Sequence, residues 1–156
     1  MIERGKALPE FALDDAEGKR RTKEEFLGHW LVLYFYPKDN TSGCTNEAKS
    51  FAELYGEFLK HETAVVGVSP DDVKSHGKFS SKLELPFPLL SDPEHTLLES
   101  CGVWQTKKMY GREYMGVVRT TLLVDPKGVV RELWEKVKVT GHAAAVLKRL
   151  LEVQDI

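Results

Sequence analysis

The segment from Trp30 to Tyr36 is apolar throughout and rich in aromatic and branched residues. A strand of this composition is typical of a sheet that is covered on both faces. Pro37 ends the run, and apolar or small residues then recur at helical spacing from Ala48 to Leu59. A buried strand followed closely by an amphipathic helix is the repeating unit of α/β domains, so this segment restricts the possible folds more than any other.

Strand and helix signals alternate along the rest of the chain, without repeats, low-complexity tracts or linkers. Hairpins are predicted over residues 11–22, with Gly18 in the turn, and over residues 117–135, with Pro126 to Gly128 in the turn. The other predicted elements are a helical turn at 23–27, a strand at 64–69 and helices at 44–59, 73–83, 94–100 and 143–151. This order indicates one domain over residues 1–156 with an α/β fold, a three-layer sandwich of the thioredoxin type with a central mixed β-sheet flanked by helices.

The charge balance excludes several kinds of partner. The chain of 156 residues has a net charge of −2 and a pI near 6.2, so neither nucleic acid nor an anionic membrane is expected as its main partner. No window approaches the roughly 18 apolar residues that span a bilayer, and the first residues lack the apolar core of a signal peptide. We therefore expect a cytoplasmic protein without a membrane segment.

The chain has two cysteines, Cys44 and Cys101, and five histidines. Two cysteines are too few for a disulfide scaffold and are not spaced as zinc ligands. The histidines show no metal-binding spacing either, and His76 and His95 are predicted to lie on exposed helix faces. No metal and no cofactor are expected.

Cys44 lies between the buried strand and the helix that follows it, in the first turn of that helix. Unpaired N–H groups and the positive end of the helix dipole favour an anion there, and a thiolate is the anion that a cysteine can form. A single intracellular cysteine is more often a small buried hydrophobic residue. The pattern Thr41-x-x-Cys44 at a strand-to-helix turn favours a nucleophile instead, although Thr41 on its own would be an ordinary helix cap.

Several segments of the chain together carry a family resemblance. They are residues 35–41, 43–45 with 47–48, 86–92, 102–104 and 119–125. Over nearly its whole length the chain resembles a peroxiredoxin of the bacterioferritin-comigratory (PrxQ) subfamily. The resemblance implies a thioredoxin-like fold and thiol-dependent reduction of hydrogen peroxide and organic hydroperoxides. In this comparison Cys44 matches the peroxidatic cysteine, Pro37 and Thr41 match a Pro-x-x-x-Thr-x-x-Cys signature, and Arg119 matches the arginine that completes the site.

Peroxide reduction requires a thiolate and hydrogen-bond donors aimed at the oxygens where negative charge develops. We expect the Thr41 hydroxyl and the backbone N–H groups of Gly43 and Cys44 to be these donors. Pro37 would fix the turn that presents them, and Gly43 would allow a close backbone approach. The product on Cys44 would be a sulfenic acid.

Two charged residues are also candidates for the site. Arg119, on a neighbouring strand, could hold the thiolate and one peroxide oxygen. Without the resemblance, a solvated or salt-bridged surface arginine would be equally expected. Glu47 could orient Arg119, or it could be an exposed carboxylate that favours the helix start.

The residues for the second step of the reaction depart from the subfamily pattern. Many members carry a resolving cysteine five residues after the peroxidatic one, and others carry it in the next helix; here these positions are Lys49 and Ser80. Cys101 is the only other thiol, so it is either the resolving partner, which would require an exposed thiolate, or a packed side chain. Ser42 replaces the proline that usually lies between the threonine and the glycine.

The favoured function is a peroxidase of the thioredoxin-dependent type, with a hydroperoxide as substrate. It would work with one cysteine and an external thiol, or through a disulfide with Cys101. Thioredoxin, glutaredoxin or glutathione is the expected reductant, and the subfamily resemblance favours a monomer. The alternative is a redox sensor or holdase switched by oxidation of Cys44, because a sulfenic acid without a resolving thiol would persist. A Cys-x-x-Cys oxidoreductase is less expected, since the fourth position of that motif is Glu47.

Overall fold

A seven-stranded mixed sheet forms the centre of the structure, a computed structural model that describes residues 1–154. The strands are β1 (Ala12–Asp15), β2 (Arg20–Thr22), β3 (Trp30–Phe35), β4 (Thr63–Ser69), β5 (Leu89–Ser91), β6 (Trp104–Met109), β7 (Arg112–Val117), β8 (Thr120–Val124) and β9 (Val130–Trp134). The helices are α1 (Lys23–Phe26), α2 (Ser42–Lys60), α3 (Val73–Leu83), α4 (Thr96–Ser100) and α5 (His142–Gln154). The large sheet has the order β2-β1-β5-β4-β3-β8-β9, in which β3, β4 and β5 are parallel and the other pairs antiparallel.

Strand β3 lies inside the sheet between β4 and β8, and its side chains alternate between two cores. Leu31, Leu33 and Phe35 belong to the core on one face, whereas Val32 and Tyr34 belong to the core on the other face. Each of these side chains is at most 2% exposed. Burial of one such side chain contributes about 1.5–3 kcal/mol to the free energy of folding. The prediction of a strand buried on both faces is confirmed.

Helices cover both faces of the sheet, as the predicted three-layer sandwich requires. On one face, α2, α3 and α5 pack against a core that contains Cys44, which we name the Cys44 core. On the other face, α1, α4 and the N-terminal segment pack against a core that contains Cys101, which we name the Cys101 core. Among residues 1–154, no helix is both long and apolar enough to cross a membrane.

The structure differs from the sequence prediction between residues 89 and 125. The predicted strand 117–125 is interrupted, because β7 ends at Val117 and β8 begins at Thr120. Arg119 therefore lies in a two-residue link between two sheets, and the prediction that it lies on a strand is wrong. The short strand β5 and the β6–β7 hairpin are additional elements. The hairpin turns at Tyr110 and Gly111, with φ angles of 52° and 77°, as a two-residue type I′ turn requires.

Candidate active site

Cys44 is the third residue of α2, which begins at Ser42 shortly after the end of β3. Thr41 is the N-cap residue, and its carbonyl oxygen accepts a hydrogen bond from the Thr45 N–H at 2.9 Å. The N–H groups of the first turn have no intrahelical partner, so they and the helix dipole favour negative charge at the Cys44 sulfur. Cys44 itself is only 1% exposed.

Arg119 is the cation next to this sulfur. Its Nη2 lies 3.3 Å from Cys44 Sγ, and its Nη1 donates a hydrogen bond of 2.6 Å to Glu47 Oε1. Burial alone would lower the pKa of the Arg119 guanidinium, but the charges of Glu47 and Cys44 raise it above its ordinary value. One planar, charged group therefore holds the sulfur and the carboxylate together. The structure thus brings three of the predicted site residues into direct contact.

Gly43 lies directly beneath the guanidinium group. A Cβ atom at this position would lie 3.2 Å from Arg119 Nη2, closer than an ordinary van der Waals contact. The φ angle of Gly43 is not positive, so its backbone conformation does not require glycine. The close approach of Arg119 is the reason that a larger residue would disturb this position.

Glu47 is 1% exposed, so the alternative of an exposed carboxylate at the helix start is wrong. Its Oε1 accepts the hydrogen bond from Arg119, whereas Oε2 is buried and has no hydrogen-bond partner among residues 1–154. Burial raises the pKa of Glu47 to about 7, although Arg119 acts to lower it. The carboxyl group therefore takes up a proton more readily than an exposed glutamate, and its hydrogen bond holds the guanidinium group next to the sulfur.

Pro37 and Thr41 lie in the loop between β3 and α2. The Tyr36 N–H donates to the Val68 carbonyl oxygen at 3.0 Å, and Pro37, which has no N–H, follows directly and ends the strand pairing. The Thr41 side chain is exposed, and its hydroxyl donates to the Lys38 carbonyl oxygen at 3.0 Å. In this structure the Thr41 hydroxyl hydrogen is therefore used inside the loop and is not directed at Cys44.

The two thiols lie on opposite faces of the sheet. Cys101 follows α4, is 0% exposed and belongs to the Cys101 core. Burial raises the pKa of the Cys101 thiol to about 12, and the charge of Asp92 acts in the same direction. Cys101 is therefore not the exposed thiolate that a resolving partner requires. Lys49 is exposed on α2 and Ser80 is half-buried on α3, and neither supplies a thiol.

A buried aspartate and histidine join the loop before α2 to α3, and sequence reasoning missed this pair. His76 is 0% exposed, so the prediction that it lies on an exposed helix face is wrong. Its Nε2 donates to the Leu90 carbonyl oxygen at 2.9 Å, and its Nδ1 lies 2.7 Å from Asp39 Oδ2. Asp39 also accepts hydrogen bonds from the Tyr36 hydroxyl at 2.6 Å and the Ser75 hydroxyl at 2.8 Å. A buried hydrogen-bonded pair thus joins the loop to α3.

One carboxylate oxygen each of Asp39 and Asp71 and one ring nitrogen of His76 lie within 4.8 Å of one another, as the ligands of a metal ion would. However, Asp71 Oδ2 already accepts hydrogen bonds from the Asp39 N–H at 2.8 Å and the Ser69 hydroxyl at 2.6 Å. The contact between Asp39 and His76 uses a further pair of these atoms. Hydrogen bonds therefore account for the cluster without a metal.

His95 also differs from the prediction of an exposed position. It is half-buried at the start of α4, with a φ angle of 63°. Its ring stacks on Trp104, with 3.8 Å between the ring centroids and 13° between the planes. The role of His95 is therefore to pack α4 against the β6–β7 hairpin.

This fold, with a cysteine at a helix start beside an arginine, is the arrangement expected from the resemblance to the peroxiredoxins, a class of thiol peroxidases. The chain belongs to the AhpC/TSA family, whose model matches residues 4–133. The mixed central sheet flanked by helices agrees with this assignment.

Individual relatives specify the subfamily. The chain is 43% identical to Peroxiredoxin Bcp of Bacillus subtilis over 154 residues, which cover 99% of this chain and 98% of the relative. Among solved structures, it is similar to the Xanthomonas campestris bacterioferritin comigratory protein, studied for alkyl peroxide reduction (TM-score 0.87, 45% identity, 91% of this chain and 90% of that chain covered). A serine variant of Xylella fastidiosa PrxQ matches with a TM-score of 0.94 at 37% identity, covering 99% of this chain and 98% of that chain. The predicted thioredoxin-like fold and PrxQ subfamily are confirmed.

The chain is therefore a peroxidase that reduces peroxides with electrons from a thiol reductant. These relatives do not favour the alternative of a redox sensor or holdase. Solved structures of Xanthomonas campestris Peroxiredoxin Q include serine variants of two cysteines that lie 36 positions apart, and Cys44 and Ser80 have the same separation. The spacing agrees with the expectation that this chain has a serine where some relatives have a second cysteine.

Proposed function

We propose that Cys44 is the nucleophile of this peroxidase. Its thiolate attacks the terminal oxygen of a hydroperoxide, so that a sulfur–oxygen bond forms and the oxygen–oxygen bond breaks. The second oxygen leaves as an alkoxide or hydroxide and takes up a proton. Cys44 is oxidised to a sulfenic acid, and the hydroperoxide is reduced to an alcohol or to water. The observation that carries this proposal is the 3.3 Å contact between Arg119 Nη2 and Cys44 Sγ at the start of α2.

Charged and backbone groups supply the stabilisation in this mechanism. Arg119 favours the thiolate and then the negative charge that develops on the peroxide oxygens, at a site shielded from water. Glu47 orients Arg119 through their hydrogen bond of 2.6 Å. The N–H groups of Gly43 and Cys44, in the first turn of α2, are further donors to the peroxide.

Pro37 and Thr41 support the loop in the same mechanism. Pro37 sets the direction in which the chain leaves β3. The Thr41 hydroxyl donates to a peroxide oxygen after it releases the Lys38 carbonyl oxygen, its partner in the structure without substrate. Both hydrogen peroxide and organic hydroperoxides present the same terminal oxygen to these groups, so we propose both as substrates.

We propose that an external thiol completes the cycle, in a one-cysteine mechanism. This thiol condenses with the sulfenic acid to give a mixed disulfide and water, and a second thiol then releases Cys44. Support comes from the absence of a thiol at Lys49 and Ser80 and from the burial of Cys101 in the other core. Thioredoxin is the reductant that we favour, with glutaredoxin and glutathione as alternatives. We place this cycle in a monomer in the cytoplasm, where such reductants keep thiols reduced.

Peroxide consumption with each reductant, measured for Cys44→Ser and Cys101→Ser, tests both steps. Cys44→Ser should abolish turnover, because the serine hydroxyl does not form the anion that attacks the peroxide. Cys101→Ser should retain most of the turnover. If Cys44→Ser remains active, the proposed nucleophile is wrong. If Cys101→Ser is oxidised once and then stops, Cys101 resolves the sulfenic acid and the one-cysteine cycle is wrong.

A further inference from the structure

The β6–β7 hairpin leads directly into the link that carries Arg119, since β7 ends at Val117. Its strands pair Trp104 with Val117 and Lys107 with Tyr114. Because side chains alternate along a strand, Lys107 lies on the face opposite to that of Trp104 and Lys108. Trp104 and Val117 pack into the Cys101 core, so the face that carries Lys107 is turned away from that core. Two adjacent lysines thus lie on opposite faces of the hairpin.

The Lys107 side chain runs back along the hairpin towards Arg119. Its Nζ donates a hydrogen bond of 2.7 Å to the Val117 carbonyl oxygen, two residues before Arg119. The stem passes over Gly116, where a Cβ atom would lie 2.9 Å from Lys107 Cδ. Gly116 therefore provides the space in which this side chain lies. By contrast, Lys108 is exposed and lies 3.5 Å from Glu113 on the other face.

The ammonium group of Lys107 is electrostatically coupled to the active site. Burial lowers the pKa of Lys107, the positive charge of Arg119 lowers it further, and Cys44 raises it. Two cations held close together repel each other unless an anion lies near both. Cys44, whose sulfur lies 3.3 Å from Arg119 Nη2, is the group whose negative charge raises the pKa of Lys107.

We infer that Lys107 is a positioning residue of the peroxidase and a second positive charge that favours the thiolate of Cys44. It holds the Val117 carbonyl, and with it the link that places Arg119 on the sulfur. The inference rests on the proposed function, in which Cys44 is the nucleophile. It assigns a function to the hairpin, which sequence reasoning did not predict.

The test is the rate constant for oxidation of Cys44 by hydrogen peroxide, measured by stopped-flow tryptophan fluorescence across the pH range. Lys107→Met keeps the stem and removes the charge. It should lower the rate constant about 3- to 10-fold on the acidic side, where loss of the charge leaves less thiolate, and should lower the alkaline plateau by a smaller factor, through the weaker hold on the Arg119 link. Lys107→Arg should behave nearly as the wild type. Lys108→Met removes the same charge from the opposite face and is the matched control, with a change of less than about twofold.

Gly116→Ala gives a second, geometric test, since it keeps the lysine but fills the space under its stem. It should change the pH profile in the same direction as Lys107→Met. An equal loss of rate at every pH would show that Lys107 is only structural, and an equal effect of Lys108→Met would show a general surface charge effect; either result overturns the inference. An unchanged profile in Lys107→Met also overturns it. Cys44→Ser distinguishes these failures from failure of the proposed function, because activity in that variant would reject the nucleophile itself.

Discussion

At the scale of single residues, one guanidinium group in the site contacts two acidic partners at the same time. Arg119 contacts Cys44 Sγ through Nη2 and Glu47 Oε1 through Nη1, and both partners are 1% exposed. A lysine ammonium cannot reproduce this planar fork, so it cannot hold both groups in the same geometry. The site therefore requires both a positive charge at position 119 and the planar geometry of the arginine side chain.

Arg119→Met should lower the rate constant for oxidation of Cys44 roughly 100-fold or more, because a charged donor to the reacting atoms is lost. Arg119→Lys should recover part of the loss. The single Met variant also leaves Glu47 buried without its partner, so Arg119→Met combined with Glu47→Gln should recover stability without recovering rate. Stopped-flow oxidation and urea unfolding measure the two effects. A rate within about threefold of the wild type in Arg119→Met would contradict the role of this residue.

At the scale of secondary-structure elements, the loop before α2 is fastened to α3 by the pair of Asp39 and His76. The pair is buried, and each partner makes further hydrogen bonds to its surroundings. A second contact between the same elements, from Lys82 Nζ to Asn40 Oδ1 at 3.0 Å, is exposed to solvent. The two contacts therefore provide a natural comparison between a buried and an exposed interaction.

Asp39→Ala should lower the free energy of unfolding by roughly 3 kcal/mol, because it removes the acceptor of Tyr36, Ser75 and His76 and leaves these buried or half-buried groups without that partner. Lys82→Met is the matched control at the same junction and should cost less than about 1 kcal/mol. In a double-mutant cycle with His76→Phe, the coupling energy should exceed about 1 kcal/mol. Urea unfolding of the four chains measures this quantity, and a coupling energy near zero would contradict the role of this buried pair in joining the loop to α3.

The same elements show which features could be predicted from the sequence. The strand from Trp30 and the position of Cys44 in a helix start depend on local patterns, and both are confirmed. The β6–β7 hairpin has few buried side chains and gives no alternating apolar signal, so it was not predictable from periodicity. Asp39 and His76 lie 37 positions apart, and no local pattern connects two residues at that distance. Contacts made only by the tertiary structure account for the missed features.

At the scale of the whole molecule, two buried groups near Arg119 give the stability opposite dependences on pH. Burial, with the charge of Arg119 acting in the same direction, lowers the pKa of His142 from 6.5 to about 4. The unfolded chain therefore binds a proton that the folded chain excludes, so the His142 contribution to stability falls as the pH falls from 6.5 to about 4. Glu47 behaves in the opposite way, because its pKa is raised from 4.5 to about 7. As the pH falls, the folded chain binds a proton at Glu47 before the unfolded chain does. The contribution of Glu47 to stability therefore rises as the pH falls from about 7 to 4.5.

Between neutral pH and about pH 4, the free energy of unfolding of His142→Gln should fall by roughly 3 kcal/mol less than that of the wild type. In Glu47→Gln the free energy of unfolding should fall more steeply with falling pH than in the wild type, because the stabilising protonation of Glu47 is lost. The glutamine at 142 can keep a hydrogen bond to Thr121, the partner of His142 Nε2 at 2.8 Å. Urea unfolding at both pH values measures the change in slope. Equal pH dependence in His142→Gln and the wild type would contradict the buried, neutral state of His142.

The sheet also separates the two thiols, with Cys44 in one core and Cys101 in the other. This separation is the basis for the central claim that Cys44 alone reacts with peroxide and needs an external thiol to be reduced. Mass spectrometry of the whole chain and of its peptides, after one equivalent of hydrogen peroxide and a reagent that traps sulfenic acids, tests this claim most directly. We predict one trapped adduct on Cys44, equally abundant in the wild type and in Cys101→Ser. A disulfide between Cys44 and Cys101 in the wild type, or an adduct on Cys101 instead, would contradict it.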